Sequence, residues 1–129
     1  MPHNVNVLTS RIIGAAIEVH RALGPGLLES AYHICLAREL SLRSIPYKYK
    51  WPLPLMYKGV NVKKVYSVDL LTAESVVVEI KSIAGILPIH EAQLLTYMRL
   101  GNWPVGLLLN FNVVVLKSGI CRRVLNLDE

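Results

Sequence analysis

Long apolar runs are missing from this chain. Its hydrophobic content is 53% over 129 residues, yet the longest apolar stretches, around Val76-Val78 and Val105-Leu116, are broken by Glu79, Lys81, Asn110 and Asn112. The breaks come well short of the ~18 residues that a bilayer span needs, which argues against a membrane partner. The start, Met1-Pro2-His3-Asn4, has neither a basic stretch leading into an apolar run nor a small-residue cleavage site, so a secretion signal is not expected and a cytoplasmic address is. Cysteine is scarce. Cys35 falls in a helical apolar pattern and Cys121 in a strand pattern, which suits two core thiols better than a disulfide or a metal pair. Internal repeats and low-complexity linkers are absent too, and the length fits one domain over residues 1–129.

Acids are also few, nine against fourteen Lys and Arg, and they are unevenly spread. Residues 1–64 carry nine basic residues and three acids, whereas residues 65–129 carry five and six. A basic half beside an acidic cluster suits a polyanion held near a cation, although a basic surplus also serves solubility alone.

Turn residues and apolar spacing set out the elements. Thr9 as N-cap and Ile12, Ile13, Ala16, Ile17 and His20 predict a first helix to about Ala22. Pro25 suits the first turn of a second, running with Leu27, Leu28, Ala31, Tyr32, Cys35, Leu36 and Leu40 to about Leu42. Pro46 to Tyr57, punctuated by Pro52 and Pro54, reads as an edge strand, and Lys58-Gly59-Val60-Asn61 as a turn. Val62 to Leu71 and Ser75 to Ile80 predict a central antiparallel hairpin. Pro88 opens a third helix that ends near Leu100, before Gly101-Asn102. Val105 to Asn110 predicts a buried strand, with short strands near Val113-Leu116 and Ile120-Val124. The expected class is α/β, a mixed sheet with helices gathered on it.

Chemistry should lie where charges interrupt the apolar strands, because an unpaired buried ion costs several kcal/mol and needs compensation. In Val76-Val77-Val78-Glu79-Ile80-Lys81 the two-residue period puts Glu79 and Lys81 on one face. A three-residue loop Ala73-Glu74-Ser75 sets Asp69 directly across from Glu79, whereas a two-residue turn sends it to the other face. With the odd loop, or with a bulge, two carboxylates form a hard oxygen site for Mg2+ or Mn2+ with Lys81 beside it, the parts that phosphodiester hydrolysis needs. A structural salt bridge would give the same pattern, and both readings stay open at this point.

Further motifs carry a resemblance. Gly26-Leu27-Leu28-Glu29-Ser30-Ala31-Tyr32, Val19-His20, Leu23-Gly24-Pro25-Gly26, Asp69-Leu70-Leu71, Val78-Glu79-Ile80-Lys81, His90-Glu91-Ala92-Gln93-Leu94-Leu95-Thr96-Tyr97 and Gly106-Leu107-Leu108-Leu109-Asn110-Phe111 resemble, in order and spacing, the GxxExxY proteins of the PD-(D/E)xK nuclease superfamily. The resemblance implies a restriction-endonuclease-like core in the order α-β-β-β-α-β. It also implies Asp69 and Glu79 as metal ligands, Lys81 as the water-positioning cation and Glu29 as an additional helix-borne acid at the metal. Gln93 and Tyr97 resemble a glutamine-x-x-x-tyrosine element, in which Gln93 supports the lysine or contacts substrate; their spacing puts both on one helical face. Val68 stands where the superfamily has proline, a position that shapes backbone rather than chemistry.

Lys48, Lys50, Lys58, Lys63 and Lys64 alternate with Tyr47, Tyr49, Trp51 and Tyr57, a pattern that could follow phosphates and stack bases, or could protect an edge strand. His20 reads as a core or capping histidine, and His90 is left without a role. The expected function is Mg2+- or Mn2+-dependent hydrolysis of DNA or RNA, with homodimerisation where both strands are cut. The alternatives are a silent nucleic-acid-binding module or a protein-interaction module on the same fold.

Overall fold

The computed structural model describes residues 4–62 and 65–125. Lys63 and Lys64, two of the lysines singled out above, lie outside them, as does the start of the chain at Met1-Pro2-His3. The first helix, α1 (Val5–Leu23), begins earlier than Thr9 predicts. Asn4 is the better cap: its Oδ1 accepts from the amides of Asn6 and Val7 at 3.0 and 3.2 Å. Thr9 is buried instead, its hydroxyl donating to the Val5 carbonyl.

The second helix, α2 (Glu29–Leu42), starts four residues after Pro25. Residues 24–28 form an extended loop held by the Tyr32 hydroxyl, which donates to the Gly24 carbonyl at 2.5 Å and accepts from the Leu27 amide at 3.1 Å. Tyr32 is fully buried and stacks on Phe111 at 4.5 Å, so the loop is fastened to the core. Glu29 thereby becomes the first residue of α2.

Next come β1 (Tyr47–Pro52), the short pair β2 (Met56–Tyr57) and β3 (Val60–Asn61), β4 (Ser67–Thr72) and β5 (Val76–Lys81). Val60-Asn61, read as part of a turn, pairs back on Met56-Tyr57, so the turn is Lys58-Gly59. Helix α3 (Pro88–Gly101), β6 (Val105–Asn110) and β7 (Ile120–Val124) complete the order. Val113 to Leu116 is not a strand. The chain bends there into a 3-10 turn, Leu116–Gly119, which is tight enough that a Cβ on Gly119 would sit 2.1 Å from the Asn110 carbonyl oxygen.

One sheet runs in the order β1-β4-β5-β6-β7, antiparallel except for the parallel β5/β6 pair that α3 connects. β5 is central and buried on both faces. Leu70, Val78, Ile80, Leu107 and Leu109 pack towards α1 and α2, with Ile12, Leu36 and Leu40 opposite them. Leu71, Val77 and Leu108 pack towards α3, with Leu94, Tyr97 and Met98. Each such fully buried side chain contributes about 1.5–3 kcal/mol. α3 lies close on β6: a Cβ on Gly106 would meet Met98 Sδ at 2.6 Å and Leu94 Cδ1 at 2.8 Å. Cys35 and Cys121 are free and belong to the two opposite core layers. Among the described residues, no helix is long and apolar enough to cross a membrane.

Side-chain alternation breaks once in each of two neighbouring strands. In β4, Leu70 belongs to the α1/α2 layer, yet Val68, two residues earlier, belongs to the α3 layer with Leu71. In β1, Tyr49 stacks on His33 of α2, whereas Trp51 lies under the ammonium of Lys48, a residue paired with Leu71. The change falls at Asp69 in one strand and Lys50 in the other. These two stand opposite each other between the pairs Tyr49↔Leu70 and Trp51↔Val68. Lys50 has φ +50, a left-handed conformation that costs about 1–2 kcal/mol for a residue with a side chain, and the strand turns over there without gaining a residue, since the register is the same on both sides.

Candidate active site

The hairpin between β4 and β5 has the odd loop, with Thr72 paired to Val76 and Ala73, Glu74 and Ser75 between them. Register then runs Leu71↔Val77 and Leu70↔Val78 and stops. Asp69 and Glu79 occupy the next position, where side chains replace the backbone ladder. The Asp69 amide donates to Glu79 Oε2 at 2.8 Å, and the Ile80 amide donates to Asp69 Oδ2 at 2.8 Å. Each carboxylate is thus anchored by the strand that bears the other.

Asp69 owes its position to a residue that spacing arguments passed over. His33 Nε2 donates to the Asp69 carbonyl at 2.9 Å, and its ring stacks on Tyr49 at 4.1 Å. His33 thus holds the Asp69 backbone from α2 at the place where β1 turns over at Lys50. The signal available in the sequence was its spacing of four from Glu29, which puts both on one face of α2.

Glu79 is 4% exposed. Burial, then the charge of Asp69, raise its pKa to about 8; Glu29 adds to this, while the hydrogen bond from the Asp69 amide and the charge of Lys81 oppose it. Lys81 lies on the same face, half-buried, and among the described residues joins no ion pair. Its carbonyl accepts from the Phe111 amide, and Asn110, paired with it on β6, holds the following turn through the Ile83 amide and carbonyl. Tyr97 comes down from α3 against this face: burial, then Glu79, Tyr66 and Asp69, raise its phenol pKa. The carboxylates therefore face α3.

Residues 6–124 match the family model of the PD-(D/E)XK nuclease superfamily. The chain belongs to that superfamily. No curated protein and no solved structure matches it. Membership agrees with a restriction-endonuclease-like fold, in which α2, β1, β4, β5, α3 and β6 supply the α-β-β-β-α-β order.

The expected superfamily residues are not all brought together. Asp69, Glu79 and Lys81 converge. Glu29 is near enough for Glu79 to feel its charge, but its Oε2 accepts from the Ser82 amide at 3.3 Å, while Ser82 Oγ donates to the Leu27 carbonyl. Among the described residues, no three Asp, Glu, His or Cys side chains gather as one metal site. Gln93 is exposed one turn before Tyr97, lining the same cleft. Lys48 is paired with Glu74 at 2.6 Å and lies 4.1 Å over Trp51, whereas Lys50 lies 5.7 Å over Tyr49. His20 donates to the Val113 carbonyl as a buried structural histidine, and His90 Nδ1 accepts from the Leu87 amide, capping its own helix.

Proposed function

We propose that this chain is a divalent-cation-dependent nuclease of the GxxExxY group, hydrolysing phosphodiester bonds of DNA or RNA. The observation that carries the reading is the exchanged anchoring of Asp69 and Glu79, with Lys81 on their face in no ion pair among the described residues. A neutralised structural network would have paired the lysine with a carboxylate. Two adjacent carboxylates, one forced to keep its proton to high pH, are a donor set that a hard cation relieves, so the residues present fit Mg2+ or Mn2+. Asp69 and Glu79 would hold the ion, and when bound it would supply charge neutralisation at phosphate and a more acidic water.

The remaining work falls to the chain itself. Lys81 presents positive charge where negative charge develops on the phosphoryl oxygens and orients the attacking water, with the Gln93 amide steering substrate or lysine. Glu29, fixed at the start of α2 by the Tyr32 clasp, orders Ser82 and so the turn that follows Lys81. The GxxExxY assignment draws support from that arrangement, since Gly26 lies in the loop that the Tyr32 hydroxyl fastens, and Glu29 at its end bonds Ser82, whose hydroxyl donates back to Leu27 of the same loop. In this reading the protein works in the cytoplasm as one domain, and cutting both strands of a duplex calls for two copies.

Labelled single- and double-stranded DNA and RNA, incubated with Mg2+, Mn2+ or chelator, test the reading. Wild type should cut at least one substrate only with metal, and Glu79→Gln and Lys81→Met should each lose about 100-fold or more. Equal cutting by wild type and both variants would refute it.

A further inference from the structure

Two clefts open on the α3 side of the sheet, on either side of Leu53 and Leu55. One, about 350 Å3, runs from Gln93 and Tyr97 to Tyr66. The other, about 330 Å3, lies between Trp51, Met56 and Asn61. Both are lined by Leu53 and Leu55, so a single wall divides them. Each has the volume of a small-ligand pocket and presents mainly apolar side chains with an aromatic ring at its edge. Those rings are open to solvent: Tyr66 is 49% exposed and Trp51 39%.

Cations accompany the aromatic rings. Lys48 lies over Trp51, Lys50 over Tyr49, and Lys58 over Tyr57 at 5.3 Å. Lys48, opposite Leu71 on the α3 side, shares its charge with Glu74, and among the described residues Lys58 forms no ion pair; Lys50 stands with Tyr49 on the α1/α2 side. The change of face at Lys50 and Asp69 explains why Trp51 lies here. Without it, regular alternation would carry Trp51 to the α1/α2 side with Tyr49, away from Glu79. A left-handed lysine inside a strand is strain retained, and it brings the exposed indole to the carboxylate face.

We propose that the two clefts form a track for an unpaired nucleic-acid strand, whose bases enter against Tyr66 and Trp51 while its phosphates follow Lys58 and Lys48 towards Asp69 and Glu79. This rests on the nuclease reading and names its substrate class. A duplex keeps its base faces covered at ~3.4 Å spacing and offers them to no platform. Exposed aromatic rings with cations beside them, such as Trp51 with Lys48 over one face, suit bases that are already unstacked, and such stacking is indifferent to sequence. Continuity favours the same occupant, because Tyr97 lines the first cleft and packs in the α3 layer with Val77, close enough to Glu79 and Asp69 to feel their charge.

The test uses the full chain carrying Glu79→Gln, in chelator and at one fixed salt concentration. Its anisotropy titrations compare short labelled oligothymidylate, oligouridylate and a blunt hairpin duplex. Both unpaired strands should bind more tightly than the hairpin, and Trp51→Leu and Tyr66→Leu should each weaken them by about 5- to 100-fold while leaving the melting temperature within a few degrees. Trp51 fluorescence should fall on binding, with Trp103, buried at 7% exposure, contributing little. A hairpin bound as tightly as the single strands, or leucine variants that bind like the parent, would overturn the track. Should a leucine variant fail to fold, quenching in the parent decides: an unchanged Trp51 signal overturns the proposal. Hydrolysis is scored separately. Binding as stated without any metal-dependent cutting upholds the track and refutes the nuclease; duplex cutting indifferent to both leucine variants does the reverse.

Discussion

A carboxyl group shut away from water beside a second carboxylate keeps its proton to higher pH, and Glu79 links site and stability in this way. Between its ordinary 4.5 and about 8, the folded chain holds a proton that the unfolded chain has lost, so metal-free stability falls as pH rises through that window. Glu79→Gln keeps an oxygen for the Asp69 amide and removes the charge. It should stabilise the metal-free protein by about 1–3 kcal/mol at pH 8 and by little near pH 4.5, as read by urea unfolding in chelator. A pH-independent difference between the two proteins would contradict this. His33 makes a separate test, because it bonds Asp69 without facing substrate. His33→Ala should cut kcat by about 10-fold with KM little changed, since one orphaned carbonyl costs about 1–3 kcal/mol, and His33→Gln should recover part of the loss. The Glu79–Lys81 face was legible from alternation, and the opposition of Asp69 from counting Ala73-Glu74-Ser75. His33 was not legible, for a lone histidine on a helix looks the same whether it bonds a critical carbonyl or water.

Among elements, α3 depends on Gly106, whose missing side chain lets Leu94 and Met98 settle on β6. Gly106→Val should destabilise by about 1–3 kcal/mol through overpacking and shift Gln93 and Tyr97 outward. A loss of activity exceeding the loss of folded protein would show that the helix, and not merely the core, had moved. Boundaries of α3 and β6 were readable because Pro88, Asn102 and the apolar run are strong local signals. The start of α2 was misread, since Pro25 looks like a first-turn proline until the distant Tyr32 hydroxyl claims the loop. Val113 to Leu116 was misread for a similar reason: β-branched residues favour a strand, but the tight approach of Gly119 to Asn110 bends the chain. The left-handed turn-over at Lys50 left no mark in the sequence, because nothing about a lysine announces a positive φ.

At the scale of the molecule, fold and chemistry pull in opposite directions. The sheet is most stable with Glu79 neutral, whereas a cation needs it charged, so metal and folding should be coupled. Added Mg2+ should raise the melting temperature of wild type at pH 8, by an amount corresponding to about 1–3 kcal/mol at concentrations well above Kd, and leave Glu79→Gln nearly unmoved. Differential scanning fluorimetry with and without chelator checks this, and equal shifts in both proteins would place the ion elsewhere. The net charge of +5, concentrated in the first half, adds a long-range pull on polyanions that should fade as salt is raised.

The matched irregularity at Lys50 and Asp69 also constrains how this protein can vary in length. A single residue gained or lost in β1 would undo the half-turn in that strand alone, swinging Trp51 and Leu53 to the wrong side while β4 stayed put. Only a compensating change in β4 would restore the match, and that change would rotate Asp69 away from Glu79. Lone insertions here should yield a chain that still folds around β5 and β6 but is inert, whereas equal insertions in the Lys58-Gly59 turn should pass unnoticed.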